Sequence, residues 1–369
     1  VLQSKSKNFL AAVYFGKKSL GVAFLDVSTG EFLVSQGNEE YIDKLLQNFR
    51  PSEILIPKQF KNQFNSVFGA DFHTFFLEDW VYKEDYALES LTKHFQTNSL
   101  KGFGIDDFNE AVISSGAILY YLSETQHNKI QHITNIQRIA EDAYVWMDKF
   151  TIRNLELIGN GAGQKGLIDI IDATKSPMGA RLLKRWLIFP LQSLEQINQR
   201  LGAVAYFIDA KETATTLHET IESCGDLERL TSKLASRKIQ PRELVQLEKS
   251  LTAVAAIKTS LTPSTNTYLK TLSENLVVCQ KTIDAIQYYI MEQPPATIMK
   301  GGFIKNGVDP SLDELRNISS GGKEYLTQLQ NKEAERTGIS SLKIGYNNVY
   351  GYYLEVTHVH KNKVPADWI

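Results

Sequence analysis

Apolar positions along this chain change rhythm twice, and each change predicts a new architecture. Over the first hundred residues they come in short blocks. Phe9 to Phe15 is one run and Leu20 to Val27 a second, and Ser28, Thr29 and Gly30 supply turn chemistry before Glu31 to Val34 returns. Asn38 is placed to cap a helix whose apolar face is Tyr41, Ile42, Leu45, Leu46 and Phe49, and Pro51 stops it. Ile54 to Ile56 then reads as a strand, Phe60 to Phe68 as a helix and Phe72 to Leu77 as a further strand. Three strands followed by alternating helix and strand is the order of a ribonuclease-H-like α/β sheet.

From about Asp106 the period becomes helical. Asp106 or Asp107 is expected to cap a helix through Ala111, Ile113, Ile118, Leu119 and Leu122. Ser176-Pro177 places a cap before a first-turn proline, opening Met178 to Phe189. Ser193 with Gln196 matches a capping box for Leu194 to Ile208. Pro241 opens another helix, with Leu244, Leu247, Leu251 and Val254 on one face. Short links between such helices favour antiparallel neighbours in an all-α region.

The last section changes again. Leu315, Gly322, Leu329 and Arg336 recur at seven-residue spacing, which predicts a long helix with a thin apolar seam. Ser319-Ser320-Gly321-Gly322 should weaken or bend it, since each mid-helix glycine costs roughly 1 kcal/mol against alanine. After Gly338, Leu342 to Tyr346 and Tyr352 to Thr357 read as a hairpin joined through Asn347 to Gly351.

Charge narrows the function classes. The net charge is −2 and the pI about 6.4, so nucleic-acid binding would need a local patch rather than a basic surface. Two cysteines without metal-ligand spacing, Cys224 and Cys279, are expected to be reduced, buried thiols of a cytoplasmic protein. No apolar run reaches membrane-spanning length, and the polar opening Val1 to Lys7 lacks a signal-peptide core. With no initiating methionine, and an end at Trp368-Ile369 after a sheet segment, both termini are expected to be cuts in a longer protein.

Chemistry-bearing motifs are sparse. Gly159 to Lys165 imitates a phosphate loop, but its glycines fail the spacing and no Ser or Thr follows the lysine. A nuclease of ribonuclease-H type needs acids holding paired metal ions, and the first strand carries none. Asp26 and Glu31 read as a turn and a surface position. His358 and His360 read as a solvated pair on one strand face, short of a zinc site. A basic cluster is better placed: Lys343, Lys361 and Lys363 accompany Tyr346, Asn347, Asn348 and Tyr350. Ammonium, amide and hydroxyl groups of this kind suit phosphate and sugar contacts, although on spacing alone a solvated hairpin is the better reading, since three lysines prove nothing.

Several separated motifs then point one way. Thr151-Ile152-Arg153-Asn154-Leu155-Glu156-Leu157 is followed by Ile171-Asp172-Ala173-Thr174-Lys175-Ser176-Pro177-Met178-Gly179-Ala180-Arg181 and its continuation to Leu187. Pro241-Arg242-Glu243-Leu244, Glu335-Arg336-Thr337-Gly338 and Leu342 to Tyr353 agree in order and spacing. In this set the chain resembles the bacterial MutS family of mismatch-repair proteins along its whole length.

That resemblance implies a multidomain α/β plus all-α protein. It would have a ribonuclease-H-like connector over residues 1–104, a helical core over 105–308, a lever helix over 309–338 and part of a β clamp over 339–369. The intact protein would recognise mispaired or looped-out bases in duplex DNA and signal repair through an ATP-driven sliding clamp. The mismatch-reading domain and the ATPase, which holds ATP and Mg, would lie outside this chain. The chain itself is thus expected to bind no cofactor or metal and to catalyse nothing. Implied partners are double-stranded DNA, gripped through the clamp residues named above, a second MutS subunit, and a downstream MutL-type factor docking on the connector. Without the second lever helix by which the family's chain returns from the clamp to the core, the lever and clamp are expected to be mobile or repacked. A ribonuclease-H-like nuclease and a protein-binding helical scaffold are the alternatives.

Overall fold

The computed structural model describes residues 7–126, 130–139, 143–159, 164–349 and 351–368. They form two units, Val1–Phe303 and Ile304–Ile369. The first opens with the three predicted strands, β1 (Phe9–Phe15), β2 (Leu20–Asp26) and β3 (Glu31–Gly37), then α1 (Glu39–Phe49), β4 (Glu53–Pro57), α2 (Lys61–Phe68), β5 (Thr74–Leu77), α3 (Glu84–Phe95), α4 (Asn109–Gln126) and β6 (Gln137–Arg138). The sheet order is β5-β4-β1-β2-β3-β6. Neighbours β1, β2 and β3 are antiparallel, whereas β1–β4, β4–β5 and β3–β6 are parallel.

Both faces of this sheet are covered, which is why its strands read as unbroken apolar runs rather than alternating ones. Ala12, Ala23, Leu25, Val34 and Leu55 face α3 and α4, while Val13, Val22, Phe24, Leu33 and Ile54 face α1 and α2. Each of the fully buried Phe24, Leu25, Leu33 and Ile54 contributes about 2 kcal/mol of apolar burial. Asn38 caps α1 as its position predicts, accepting from the Tyr41 backbone N–H at 2.9 Å.

Helix α4 departs from expectation. Its period places it in the helical region expected from residue 105, yet it packs across β1 and β2 in the centre of the sheet. The contact is close because Gly21 has no side chain: a Cβ there would lie 2.0 Å from the carbonyl carbon of Glu110. Ser114 Oγ donates to the Gly21 carbonyl at 2.9 Å across the same gap. The α4 face is small and apolar enough to be buried on a sheet, and periodicity alone cannot say which layer a helix joins.

The helical region follows as α5 (Lys149–Asn154), α6 (Leu167–Ile171), α7 (Pro177–Ile188), α8 (Leu194–Asp209), α9 (Lys211–Ser223), α10 (Leu227–Ala235), α11 (Pro241–Leu261), α12 (Thr267–Asn275) and α13 (Gln280–Tyr289). Ser176 caps α7 by accepting from Gly179 N–H at 3.1 Å, with Pro177 in the first turn. Ser193 caps α8 through Gln196 N–H. Helix α11 is the hub, packing against α9, α10, α12 and α13. Its buried clusters are small: Ala203, Leu217, Leu261 and Leu269 in one, Leu230, Ile239 and Leu247 in another.

An aromatic seam joins the sheet to the helices. Phe49 stacks on Phe24 at 4.5 Å and meets Phe189 at 5.3 Å, and Trp146 touches both Phe189 at 5.4 Å and Tyr41 at 5.3 Å. Beside it, Glu31 accepts from Arg185 at 2.6 Å and pairs with Lys7 at 3.2 Å. Glu31 is therefore a seam residue and not the plain surface position its sequence context predicts. Asp26 does form a turn: its buried carboxylate accepts from Asn8 N–H, Ser28 N–H and Ser28 Oγ. Cys224 is buried as expected but Cys279 is exposed, because it sits at the N-terminal edge of α13.

Candidate nucleic-acid interface

The second unit is built from α14 (Pro310–Thr337) and a hairpin of β7 (Lys343–Asn347) and β8 (Gly351–Glu355). Asp309 caps α14 by accepting from Ser311 and Leu312 N–H, with Pro310 in the first turn. The helix, long as its seven-residue spacing predicts, runs without interruption through Ser319-Ser320-Gly321-Gly322. Two glycines are too small a penalty to stop a helix of 28 residues that is capped at both ends.

Nor is the seven-residue series the sheltered face. Leu315, Gly322 and Arg336 are exposed. In its C-terminal half the half-buried side chains are instead Leu326, Leu329, Gln330, Glu333, Ala334 and Thr337, spaced three and four apart. That stripe leads to Gly338, which ends the helix in the left-handed region at φ 67° and donates to Ala334 O. Ile339 N–H follows onto the same carbonyl at 3.2 Å, and the buried Ile339 and Leu342 form the unit's small core.

Hairpin register decides where the predicted contact residues point. Lys343 pairs with Glu355, Ile344 with Leu354, Gly345 with Tyr353, Tyr346 with Tyr352, and Asn347 with Gly351. Successive residues alternate faces. Lys343, Asn347, Tyr353 and Glu355 therefore share one face, and Tyr346 shares the other with Tyr352, Ile344 and Leu354. Tyr346 and Tyr352 meet at 5.1 Å, and Tyr353 lies over Gly345, where a Cβ would come within 2.6 Å of its ring. Asn348 is exposed at the tip beside Val349, which is 79% exposed, and Asn347 Oδ1 accepts from Val349 N–H at 2.7 Å. Tyr350 lies outside the described residues.

Lys361 and Lys363 are on neither strand. They belong to a 3-10 helix, His358–Lys363, which also holds His358 and His360. The two histidines thus do not alternate along a strand: β8 ends at Glu355, and the chain turns before reaching them. Lys361 is exposed, whereas Lys363 Nζ donates to the Gly338 carbonyl at 3.2 Å and closes the helix end. Arg336 bonds Glu333 at 2.8 Å and Asp367 at 3.1 Å, tying the segment after the 3-10 helix to α14. Hydrogen bonds to Glu333, and then to Asp367, raise its already high pKa.

The six described residues of this set therefore do not make one surface. Lys343, Asn347, Asn348 and Tyr346 cluster at the hairpin, with Lys361 and Lys363 at its base. Three lysines stand against one carboxylate, Glu355, over residues 343–363. Sequence reading missed the exposed aromatics Tyr352 and Tyr353; their alternation in a hairpin was the available signal.

Elsewhere the described residues contain no group of three or more His, Cys, Asp or Glu side chains able to hold a metal ion. No helix among them is long and apolar enough to cross a membrane. Of the loop that imitates a phosphate loop, residues 160–163 lie outside the described residues, as do residues 1–6 at the polar N-terminus.

Comparison with known proteins adds a consistent result. Residues 8–134 match the family profile MutS domain II, and residues 150–350 match MutS domain III. Over its whole length the chain is 58% identical to the DNA mismatch repair protein MutS of Flavobacterium psychrophilum. It is 57% identical to that of Flavobacterium johnsoniae and 52% identical to that of Bacteroides thetaiotaomicron. In each case it spans about 43% of the relative's length.

Proposed function

Because the chain belongs to the MutS family, with its domains II and III in sequence, we propose that it is the connector, scaffold and backbone-gripping part of a DNA mismatch-repair protein. The intact protein recognises mispaired or looped-out bases and signals repair as an ATP-driven sliding clamp. In this reading the sheet of the first unit is a ribonuclease-H-like connector, supported by three antiparallel strands followed by parallel β4 and β5. Packing of α4 on that sheet supports ending the connector after Arg138 rather than at residue 104. The helical core then extends to about 308, the lever helix over 309–338 and the clamp over 339–369.

The observation that carries the reading is the hairpin itself. Its strands and turn present exposed amides, phenols and an ammonium, from Asn347, Asn348, Tyr346, Tyr352 and Lys343. Such groups position a protein on phosphates without specifying sequence. None of these residues is assigned to ATP or magnesium, and no catalytic step is assigned to this chain. A second subunit and a downstream MutL-type factor are the protein partners in this scheme.

A fluorescence-anisotropy titration against matched and G·T-mismatched duplex at two salt concentrations tests it. Weak binding that falls with salt and ignores the mismatch is expected. The pair Lys343→Glu and Lys361→Glu should weaken binding and lower the salt slope by about one per lysine. No binding at low salt would remove the gripping role while leaving the family assignment intact. A protein-binding scaffold is the second reading, favoured by the exposed Leu194, Leu201, Val204 and Ile208 along α8.

A further inference from the structure

A recess of about 160 Å³ opens at the seam between the sheet and the helical region. Phe9, Phe49, Ile188 and Phe189 form its apolar floor, and Arg50 and Lys184 stand among its cationic lining. The volume is close to that of a dry cavity able to take benzene, roughly 150 Å³.

Charge around this recess is not balanced. Three carboxylates here are already ion-paired: Glu31 with Lys7 and Arg185, Asp226 with Arg181 and Arg229, and Glu228 with Arg181 and Lys7. Among the described residues Lys184 and Arg50 have no ion pair, one half-buried on α7 and the other exposed at the end of α1. Burial, and then the charge of Arg50, depress the Lys184 ammonium below its ordinary pKa. Asp169 is the carboxylate that offsets this slightly, but its Oδ2 accepts from Gly166 N–H at 2.8 Å as a helix cap. Two like charges held beside an apolar recess lower their energy when an anion sits between them.

We propose that this recess is a binding site for a small aromatic monoanion, its ring on the phenylalanine floor and its anionic group between Lys184 and Arg50. The occupant would touch α1 from the sheet layer and α7 from the helical layer, and so fasten the seam. This site is independent of the DNA-gripping role proposed above.

Isothermal titration of the 369-residue chain with benzoate tests the proposal, with benzyl alcohol and acetate as the uncharged and ring-free controls. Saturable binding at one site is expected for benzoate, with both controls weaker by about tenfold or more. Lys184→Met should weaken benzoate by about the same factor, and Lys184→Arg should restore it. Arg50→Gln provides a second variant at an exposed position, should Lys184→Met melt differently from the parent by circular dichroism. Absence of saturable benzoate binding, or equal binding by the parent and either charge-removed variant, overturns the proposal.

Discussion

Arg181 and Asp226 meet through two parallel bonds, Nη1 to Oδ2 and Nη2 to Oδ1, both 2.7 Å long. Glu228 accepts a third bond from the same guanidinium at 2.6 Å, and the Arg181 side chain is only 1% exposed. A planar fork matching a carboxylate edge fixes α7 against α10 in angle as well as distance. Arg181 falls within the Ser176-Pro177 motif, so the residues after the helix start serve to lock this crossing.

Removing one member should cost more than removing both. Arg181→Met is expected to destabilise the chain by about 3 kcal/mol, because among the described residues the cation left beside Asp226 is Arg229, at 3.7 Å. The double variant Arg181→Met, Asp226→Leu should recover much of that loss. Urea unfolding of the three proteins checks it, and a single-variant cost within 0.5 kcal/mol of zero, the range of about ±0.5 typical of neutral surface changes, would refute the role given to the pair.

Acid should weaken the fold in two steps. Burial lowers the pKa of His94 and His132, whose Nε2 atoms each bond a backbone carbonyl at 2.7 Å. A base with a depressed folded pKa favours the unfolded state once that state protonates. Its contribution is therefore complete above an unfolded pKa of about 6.5 and declines as pH falls below it. Burial raises Asp226, but bonding and charge from Arg181 outweigh it and hold the carboxyl below its ordinary value. That contribution persists above about pH 4 and is lost as pH falls toward the folded pKa. Melting temperature against pH should show both declines, with Asp226→Asn flattening the lower and His132→Gln reducing the upper.

Two glycine-to-alanine changes should have opposite signs. Gly321 lies in α14 with open space where a Cβ would point, so Gly321→Ala should stabilise the helix by about 1 kcal/mol. Gly21→Ala drives a methyl into the backbone of α4, and overpacking of about 3 kcal/mol is expected because a main chain cannot rotate aside. Thermal melts followed at 222 nm distinguish them.

Amide exchange should be uneven. Protection is expected to be greatest in β1, β2 and α4, within the two large clusters that cover both sheet faces. Helices α8 to α13 rest on clusters of three or four buried residues and should open first. Equal protection across the two layers would contradict this.

Much of the architecture was legible from local chemistry. Asn38, Ser176 and Ser193 cap the helices their side chains predict, and the hairpin pairs close to the residues expected. What failed was long-range. Nothing local distinguishes α4 lying on a sheet from a helix among helices, and Glu31 becomes a seam residue through Arg185, 154 residues away. The candidate interface was legible in composition but not in direction. Lys343 and Tyr346 are three apart, and a period of two sends them to opposite faces.

The aromatic seam has an optical consequence. Trp146 stands edge-on to both Tyr41 and Phe189, at the point where sheet and helices join. Its indole is half-buried there, whereas Trp80 and Trp186 are more exposed. Any parting of the two layers would transfer that ring toward water and shift its emission to the red, so the joint carries a gauge of its own closure.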